Sequence, residues 1–294
     1  MKELKNFIQE KLEIKSLSEN QQKIAKWLKK HKISLSYIEF TDNDEVMLKE
    51  KRTTAGEFHF VFLPGEKQLP DFIKFKRNDD WIASITVEGP SLETLKGLPL
   101  GKNHYRGQGV KIKNCLSLKD FDYEIPDDIE KLAIHIENCP ELESFSGIKN
   151  SKLKRTGVLE LKNLPKLKNL DFGKVKISQE YSKFVNLPNL TLKDFPVIDS
   201  DDDTTKIEFI DCKSITSLKE LKNKTDIKKI RLIKLSGCSN ISELGFDLNG
   251  TTRFDGAYFD GTKINAEEVF NSISEEIREK RKLVLRGTMI TWTF

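Results

Sequence analysis

The strongest constraint in this chain is a unit of about 25 residues that recurs along most of its length. With the first apolar residue of a unit as position 0, four cysteines fall at +5. They are Cys115 from Val110, Cys139 from Ile134, Cys212 from Ile207 and Cys238 from Ile233. In the same units +2 is Ile112, Ile136, Phe209 and Leu235, and +8 is Leu118, Leu142, Ile215 and Ile241. Position +11 is Phe121, Phe145, Leu218 and Leu244. A cysteine-free unit fits throughout at Leu159, Leu161, Leu164, Leu167 and Leu170, and another fits as far as +8 at Leu190, Leu192, Phe195 and Ile198. Looser units start at Ile85, Ala257 and Leu283, with the third anchor one residue early at Leu92, Ile264 and Ile290. The starts are 25, 24, 25, 31, 17, 26, 24 and 26 residues apart, so only the unit at Leu190 is displaced.

Position +4 carries the physical meaning of the pattern. It is Gly89, Asn114, Asn138, Asn163, Asp194, Asp211, Gly237, Gly261 and Gly287. Glycine, asparagine and aspartate are the residues that enter left-handed and turn conformations at least cost. Alternation at 0 and +2 points two side chains inward from a short strand. A bend at +4 follows, and a small residue at +5 tucks beneath it, where a thiol packs as a small hydrophobe. No such coil buries its apolar strip alone, so neighbours stack and their strands form a parallel sheet.

The phrase L-x-L-x-x-[N/C]-x-x-L resembles the leucine-rich-repeat family, whose period is 20–29 residues. The resemblance covers about residues 82–294 and implies an α/β solenoid: a horseshoe with a parallel β-sheet and about 8–9 irregular units. The family expects another leucine at −3; here stand Gly107, Lys131, Thr156, Leu187, Thr204, Ile230 and Phe254, which implies an irregular convex side.

Composition suits a thin stack. Apolar residues are 37% of the chain and charged residues 33%, lean for a compact globule but sufficient where each coil buries one strip. The net charge of +4 is uneven: residues 1–35 hold nine Lys and four Glu, and the rest sums to −1. A near-neutral body argues against a broad nucleic-acid footprint. No apolar run reaches the roughly 20 residues needed to cross a bilayer, and residues 1–30 lack the apolar core of a secretory signal. The cysteines, with no C-x-x-C pair, read as reduced thiols, so a cytoplasmic location in a bacterium or a phage-infected cell is expected.

Three regions are expected. Residues 1–35 form a basic helical segment, with Leu4, Phe7, Ile8 and Leu12 on one face and a second helix over Glu19–Lys30. Residues 36–80 form a small antiparallel β cap from the runs 36–40, 45–51, 57–63 and 71–76. Residues 81–294 form the solenoid, closed by a helix that Asn265 caps and that carries Val269, Ile273 and Ile277, followed by the strand at Leu283.

The first ten residues, MKELKNFIQE, resemble capsid-targeting peptides of internal head proteins in large tailed bacteriophages, through Met1, Lys2, Phe7, Ile8 and Glu10. That resemblance implies cleavage between Glu10 and Lys11 and a place in the virion. The phrase from Ser91 to Leu100 resembles repeat proteins of such phages. An ordinary amphipathic helix with a solvated basic face is the alternative.

No catalytic, cofactor or metal site is expected. A phosphate-binding glycine loop and an H-E-x-x-H pair are both missing, and Gly107-Gln-Gly109 reads as a turn. The acidic run from Asp199 to Asp203 has Ile210 where a calcium loop needs glutamate. His135 and Cys139 lie four apart, but one points outward and the other inward. Function is therefore expected on the outward strand positions +1 and +3, which line the concave face that the family resemblance makes the partner surface. The candidates are Lys111, Lys113, His135, Glu137, Glu160, Lys162, Glu208, Lys234 and Tyr258, with Thr191 and Lys193 in the displaced unit. Their mixed charges suit a polar protein partner. The expected role is a non-enzymatic interaction scaffold, either virion-associated or a bacterial adaptor or effector; an enzyme within the N-terminal region is the remaining alternative.

Overall fold

A computed structural model describes residues 17–31, 33, 38–48, 57–76, 84–99, 109–178, 182–199 and 205–293. The expected helix over residues 4–12 and the Glu10–Lys11 junction lie outside the described residues. The chain coils into a parallel β-solenoid. Its ladder runs through β3 (Glu57–Val61), β4 (Ser84–Glu88), β5 (Gly109–Lys113), β6 (Lys131–Glu137) and β7 (Arg155–Lys162). It continues through β9 (Ser182–Val185), β11 (Thr205–Ile210), β12 (Ile230–Lys234) and β13 (Gly256–Tyr258), while β8 (Lys176–Ser178) and β10 (Ile198–Asp199) pair beside it and α2 (Ser146–Lys149) is a single short helix after β6. Every neighbouring pair along this run is parallel. The inward residues at 0 and +2 are buried without a break from Ile85 and Val87 to Ile233 and Leu235, and all are apolar except Ser182 at position 0. The rows at +5, +8 and +11 line the same core, with Cys115, Cys139, Leu164, Leu187, Cys212 and Cys238 all fully buried.

The bend at +4 has the expected left-handed conformation from Asn114 onward, whereas Gly89 is not at positive φ. Asn114, Asn138, Asn163, Asn186 and Asp211 take φ of 53°, 57°, 56°, 52° and 56°, and Gly237 and Gly261 take 70° and 72°. The bend amides from Asn114 to Gly237 each donate to the +3 carbonyl of the following coil, as from Asn114 to Glu137 (3.0 Å), Asn138 to Lys162 (3.1 Å) and Gly237 to Asp260 (2.7 Å). The left-handed residue thus carries the strand's hydrogen-bond ladder one step around the corner.

Four details depart from the sequence expectation. The unit placed at Leu190 starts at Ser182, which pairs with Leu159 on one side and Ile207 on the other. Its bend is Asn186, and the irregular spacings of 31 and 17 become 23 and 25. Second, β3 joins the parallel ladder, so the sheet begins inside the region read as an antiparallel cap. Within that region β1 (Ile38–Phe40) and β2 (Val46–Leu48) do pair antiparallel. Third, β14 (Leu283–Arg286) is no further coil. It forms an antiparallel hairpin with β15 (Met289–Trp292), and β15 pairs antiparallel with β13. Gly287, at φ 58°, opens the two-residue turn, as a glycine-first hairpin turn requires. Fourth, the single closing helix is two, α3 (Ala266–Ser272) and α4 (Glu275–Lys280), parted where Ile273 turns extended and buries its side chain. Asn265 caps α3 by accepting from the Glu267 and Glu268 amides.

At the other end helix α1 (Glu19–Lys30) is capped by Ser18 and Gln21 reciprocally, the arrangement that satisfies two orphan amides at once. Its apolar face, Ile24, Trp27 and Leu28, is buried. Trp27 meets Phe62 edge-on, with ring centroids 5.7 Å apart. The buried His31 ring stacks on Trp27 and contacts the Glu66 carboxylate through Nε2 at 2.6 Å. Burial works to raise the Glu66 carboxyl, but hydrogen bonds from His31, the Leu63 amide and Lys30 outweigh it and hold the group below the usual carboxylate range. No helix among the described residues is long and apolar enough to cross a membrane.

Candidate functional site

Strand alternation leaves +1 and +3 on the outer face of the sheet, and parallel register turns them into two rows. The +1 row runs His59, Thr86, Lys111, His135, Glu160, Lys183, Glu208, Lys234, Tyr258, each opposite the next. The +3 row runs Val61, Glu88, Lys113, Glu137, Lys162, Val185 and Ile210. All nine candidate residues therefore stand on one face. Lys111, His135, Glu160, Glu208, Lys234 and Tyr258 share one row, and Lys113, Glu137 and Lys162 share the other. All are partly exposed except Glu208, which is buried.

The signs alternate from Glu160 to Lys234 in the first row and from Glu88 to Lys162 in the second, and the side chains use one another. His135 Nδ1 lies 3.2 Å from Glu160 Oε2, Lys162 Nζ lies 2.6 Å from Glu137 Oε1, and His59 Nε2 lies 3.3 Å from Glu88 Oε1. Opposite charges directly across a ladder support the sheet by a few tenths of a kcal/mol to about 1 kcal/mol per pair. The face is thus charge-compensated at these pairs. The alternation lapses at Val185 and Ile210, where two apolar side chains lie side by side and half-exposed among Lys162, Lys183 and Glu208.

Lys183, Val185 and His59 were not among the expected candidates. Thr191 and Lys193, which were, belong to no strand. Thr191 Oγ1 instead donates to Asn169 Oδ1 (2.8 Å) on the flank of the coil. A phrase in the sequence marks the correct frame: Asn163-Leu-Pro-Lys-Leu167 recurs as Asn186-Leu-Pro-Asn-Leu190. Alignment on the asparagine and proline finds Ser182, whereas alignment on paired leucines passes it over.

Beside this face the bend residues form a second feature. Asn138 Nδ2 donates to Asn114 Oδ1 (3.1 Å), Asn163 Nδ2 to Asn138 Oδ1 (2.6 Å) and Asn186 Nδ2 to Asn163 Oδ1 (2.9 Å). At +7, one step past the next turn, side chains again reach back one coil: Ser117 Oγ to the Pro90 carbonyl (3.0 Å), Asn189 Nδ2 to Pro165 (2.6 Å) and Asn240 Nδ2 to Lys213 (2.8 Å).

The titratable groups inside the coil offer little chemistry. Cys115 and Cys139 are neighbours on adjacent coils, as are Cys212 and Cys238. Hydrogen bonding to Cys139, and then burial, pushes the Cys115 thiol far above its ordinary range, and Cys238 and burial act likewise on Cys212. The same hydrogen bonds lower Cys139 and Cys238, so only Cys115 and Cys212 are held protonated in this way, as packing groups rather than nucleophiles. Cys139 is inward and His135 outward, so the two do not meet. Among the described residues no group of three or more His, Cys, Asp or Glu is placed to hold a metal ion.

An open groove of about 570 Å³ lies on the flank, between Ser146, Lys149, Lys166, Lys168, Asn169 and Asn189. Two of its cations are already paired, Lys149 with Asp171 (2.5 Å) and Lys166 with Glu141 (2.6 Å). No protein-family model matches this chain, and no curated protein or solved structure matches it.

Proposed function

We propose that this chain is a non-enzymatic interaction scaffold of the leucine-rich-repeat horseshoe type, and that its partner is a protein lying across the outer sheet face. The observation that carries the reading is the register of that face. It aligns Lys111, His135, Glu160, Lys183, Glu208, Lys234 and Tyr258 into one uninterrupted row of polar side chains. Interfaces of this kind combine a polar rim with a small apolar centre. Val185 and Ile210 supply such a centre beside the row.

The test changes Lys111, His135 and Glu160 together to alanine in the full chain. A protein retained by the immobilised parent is expected to fall at least tenfold in affinity for the triple variant, while the melting transition stays within a few degrees. Undiminished binding by the triple variant overturns the assignment to this face.

The resemblance of residues 1–10 to capsid-targeting peptides adds a place for the scaffold, inside or attached to a phage virion. On that reading the protein recovered from virions begins at Lys11; mass spectrometry that finds Met1 intact there excludes it.

A further inference from the structure

The sheet closes on β14, whose outer edge differs from every rung before it. In an antiparallel hairpin the residues of one strand direct N–H and C=O alternately toward the partner and away from it. Arg286 and Val284 stand opposite Met289 and Thr291, and the Thr293 amide donates to the Lys282 carbonyl at 3.4 Å. Lys282, Val284 and Arg286 therefore face β15. Leu283 and Leu285 direct their amides and carbonyls to the outer side, where no strand follows in the sheet order. No backbone hydrogen bond outside the hairpin is made by either residue among the described residues.

The side chains around this edge share one character. Lys280, Lys282 and Arg286 are exposed, Arg278 and Arg281 half-exposed, and the acids nearby in the chain are Glu275, Glu276 and Glu279. Leu285, at 37% exposure, is among the most exposed large apolar side chains described. Helices α3 and α4 pack against β14 and hold it in place. The result is a short strand edge with unpartnered backbone groups, one apolar contact and a cationic surround.

We propose that the β14 edge is a second docking site, independent of the sheet face, and that it receives an extended acidic segment of another protein by strand addition. Strand addition draws affinity from main-chain bonds and specificity from alternate side chains. Carboxylates flanking an apolar residue match Lys282 and Arg286 on either side of Leu285. A second copy of this chain is the weaker occupant in the register that pairs Leu283 of one copy with Leu285 of the other. Antiparallel pairing of β14 with itself about Val284 sets Lys282 opposite Arg286, and like charges directly across a ladder are destabilising. Nucleic acid could use the cations but has no strand to add.

The test uses the full chain and a short synthetic peptide of alternating glutamate and valine. Hydrogen exchange of the Leu285 amide and peptide fluorescence anisotropy are the readouts. The peptide is expected to bind, to slow exchange at Leu285, and to bind at least tenfold more tightly than its lysine–valine counterpart. The Lys282→Glu, Arg286→Glu double variant is expected to reverse that preference. Leu285→Pro, which removes the outward donor on an edge where proline is tolerated, is expected to abolish binding while the rest of the chain keeps its exchange pattern. Should Leu285→Pro unfold the hairpin, the charge reversal still decides. Equal binding of both peptides, binding without protection at Leu285, equal binding of single-stranded oligothymidine, or a dimer that the acidic peptide does not displace would each overturn the proposal.

Discussion

The coils from Val110 to Ser182 and those from Ile233 onward turn the same corner in different ways. In the first group the bend is asparagine, at φ between 52° and 57°, and each side chain after Asn114 reaches back to the previous one. In the second group it is Gly237 and Gly261, with no side chain at all. Asp211 stands between, with the left-handed backbone of the first group but no amide hydrogen to donate. Asparagine accepts the backbone strain and offsets it with a side-chain hydrogen bond. Glycine avoids the strain and gives up the bond. From Val110 onward every coil uses the left-handed bend, while the coils of Phe62 and Gly89 do without it; the ladder is a further addition that only some coils carry.

The ladder should therefore be the more vulnerable of the two solutions. Asn138 donates to Asn114 and accepts from Asn163, so Asn138→Ala removes two hydrogen bonds and leaves a residue poorly suited to φ 57°. At about 1 kcal/mol for each bond and about 1 kcal/mol for the conformation, the expected loss is about 3 kcal/mol. Asn138→Gly restores the conformation alone and should lose about 2 kcal/mol. Denaturant unfolding of both variants checks the difference; equal losses would mean that the side-chain ladder contributes little.

The glycine solution fails for another reason. A Cβ on Gly237 would run into Asp211 Oδ1, and φ there is 70°. Gly237→Ala is expected to cost about 2 kcal/mol, roughly half from the backbone and half from displacing the carboxylate. The Asp211→Gly, Gly237→Ala double variant removes the clash and leaves the backbone part. A non-additive cycle of about 1 kcal/mol is the expected readout, and strict additivity would refute the steric account.

These bend residues also explain what the sequence disclosed and what it hid. Position +4 was legible because left-handed backbone restricts residue choice more sharply than burial does. Burial accepts Leu, Ile, Val, Phe or Cys, whereas φ near +55° selects Asn, Asp or Gly. Ser182 was hidden because it is a polar residue at an inward position, 2% exposed and with its hydroxyl unpartnered. A unit defined by apolar alternation has no reason to start there. The rung β3 was hidden for the converse reason. Its alternation, Phe58 and Phe60, suits any half-buried strand, and its +4 residue is Phe62 rather than a turn former. The closing hairpin shares apolar spacing and a +4 glycine with the coils, and only strand direction, which spacing does not encode, tells them apart. On the outer face, eight of the nine candidates follow from alternation within correctly placed strands and are partly exposed; Glu208 follows too but is buried. Lys183 and Val185 were missed with Ser182, because one wrong start moves every side chain of a strand to another place.

The contrast can also be sharpened by extending the ladder. Asp211 follows Asn186 by one coil, and the Asn186 amide donates to the Ile210 carbonyl at 2.8 Å, which sets the two bends side by side. A carboxylate at 211 has no hydrogen to offer Asn186 Oδ1, whereas an amide does. Asp211→Asn is therefore expected to stabilise the chain by about 1 kcal/mol, the usual net value of one added hydrogen bond. Unchanged stability would place the end of the ladder at Asn186 for a geometric reason rather than a chemical one.

The outer face supplies the smallest effect and a control for the rest. Lys162 and Glu137 are paired at 2.6 Å but each side chain is at least a third exposed. Solvent screens such a pair, so Lys162→Ala should shift stability by about 0.5 kcal/mol or less. Its effect on partner binding should be larger than its effect on folding if the face is the interaction surface. A variant that unfolds the chain but leaves binding per folded molecule unchanged would assign the +3 row to the sheet's own cohesion. That outcome would leave the partner to the +1 row, where Lys111, His135 and Glu160 stand.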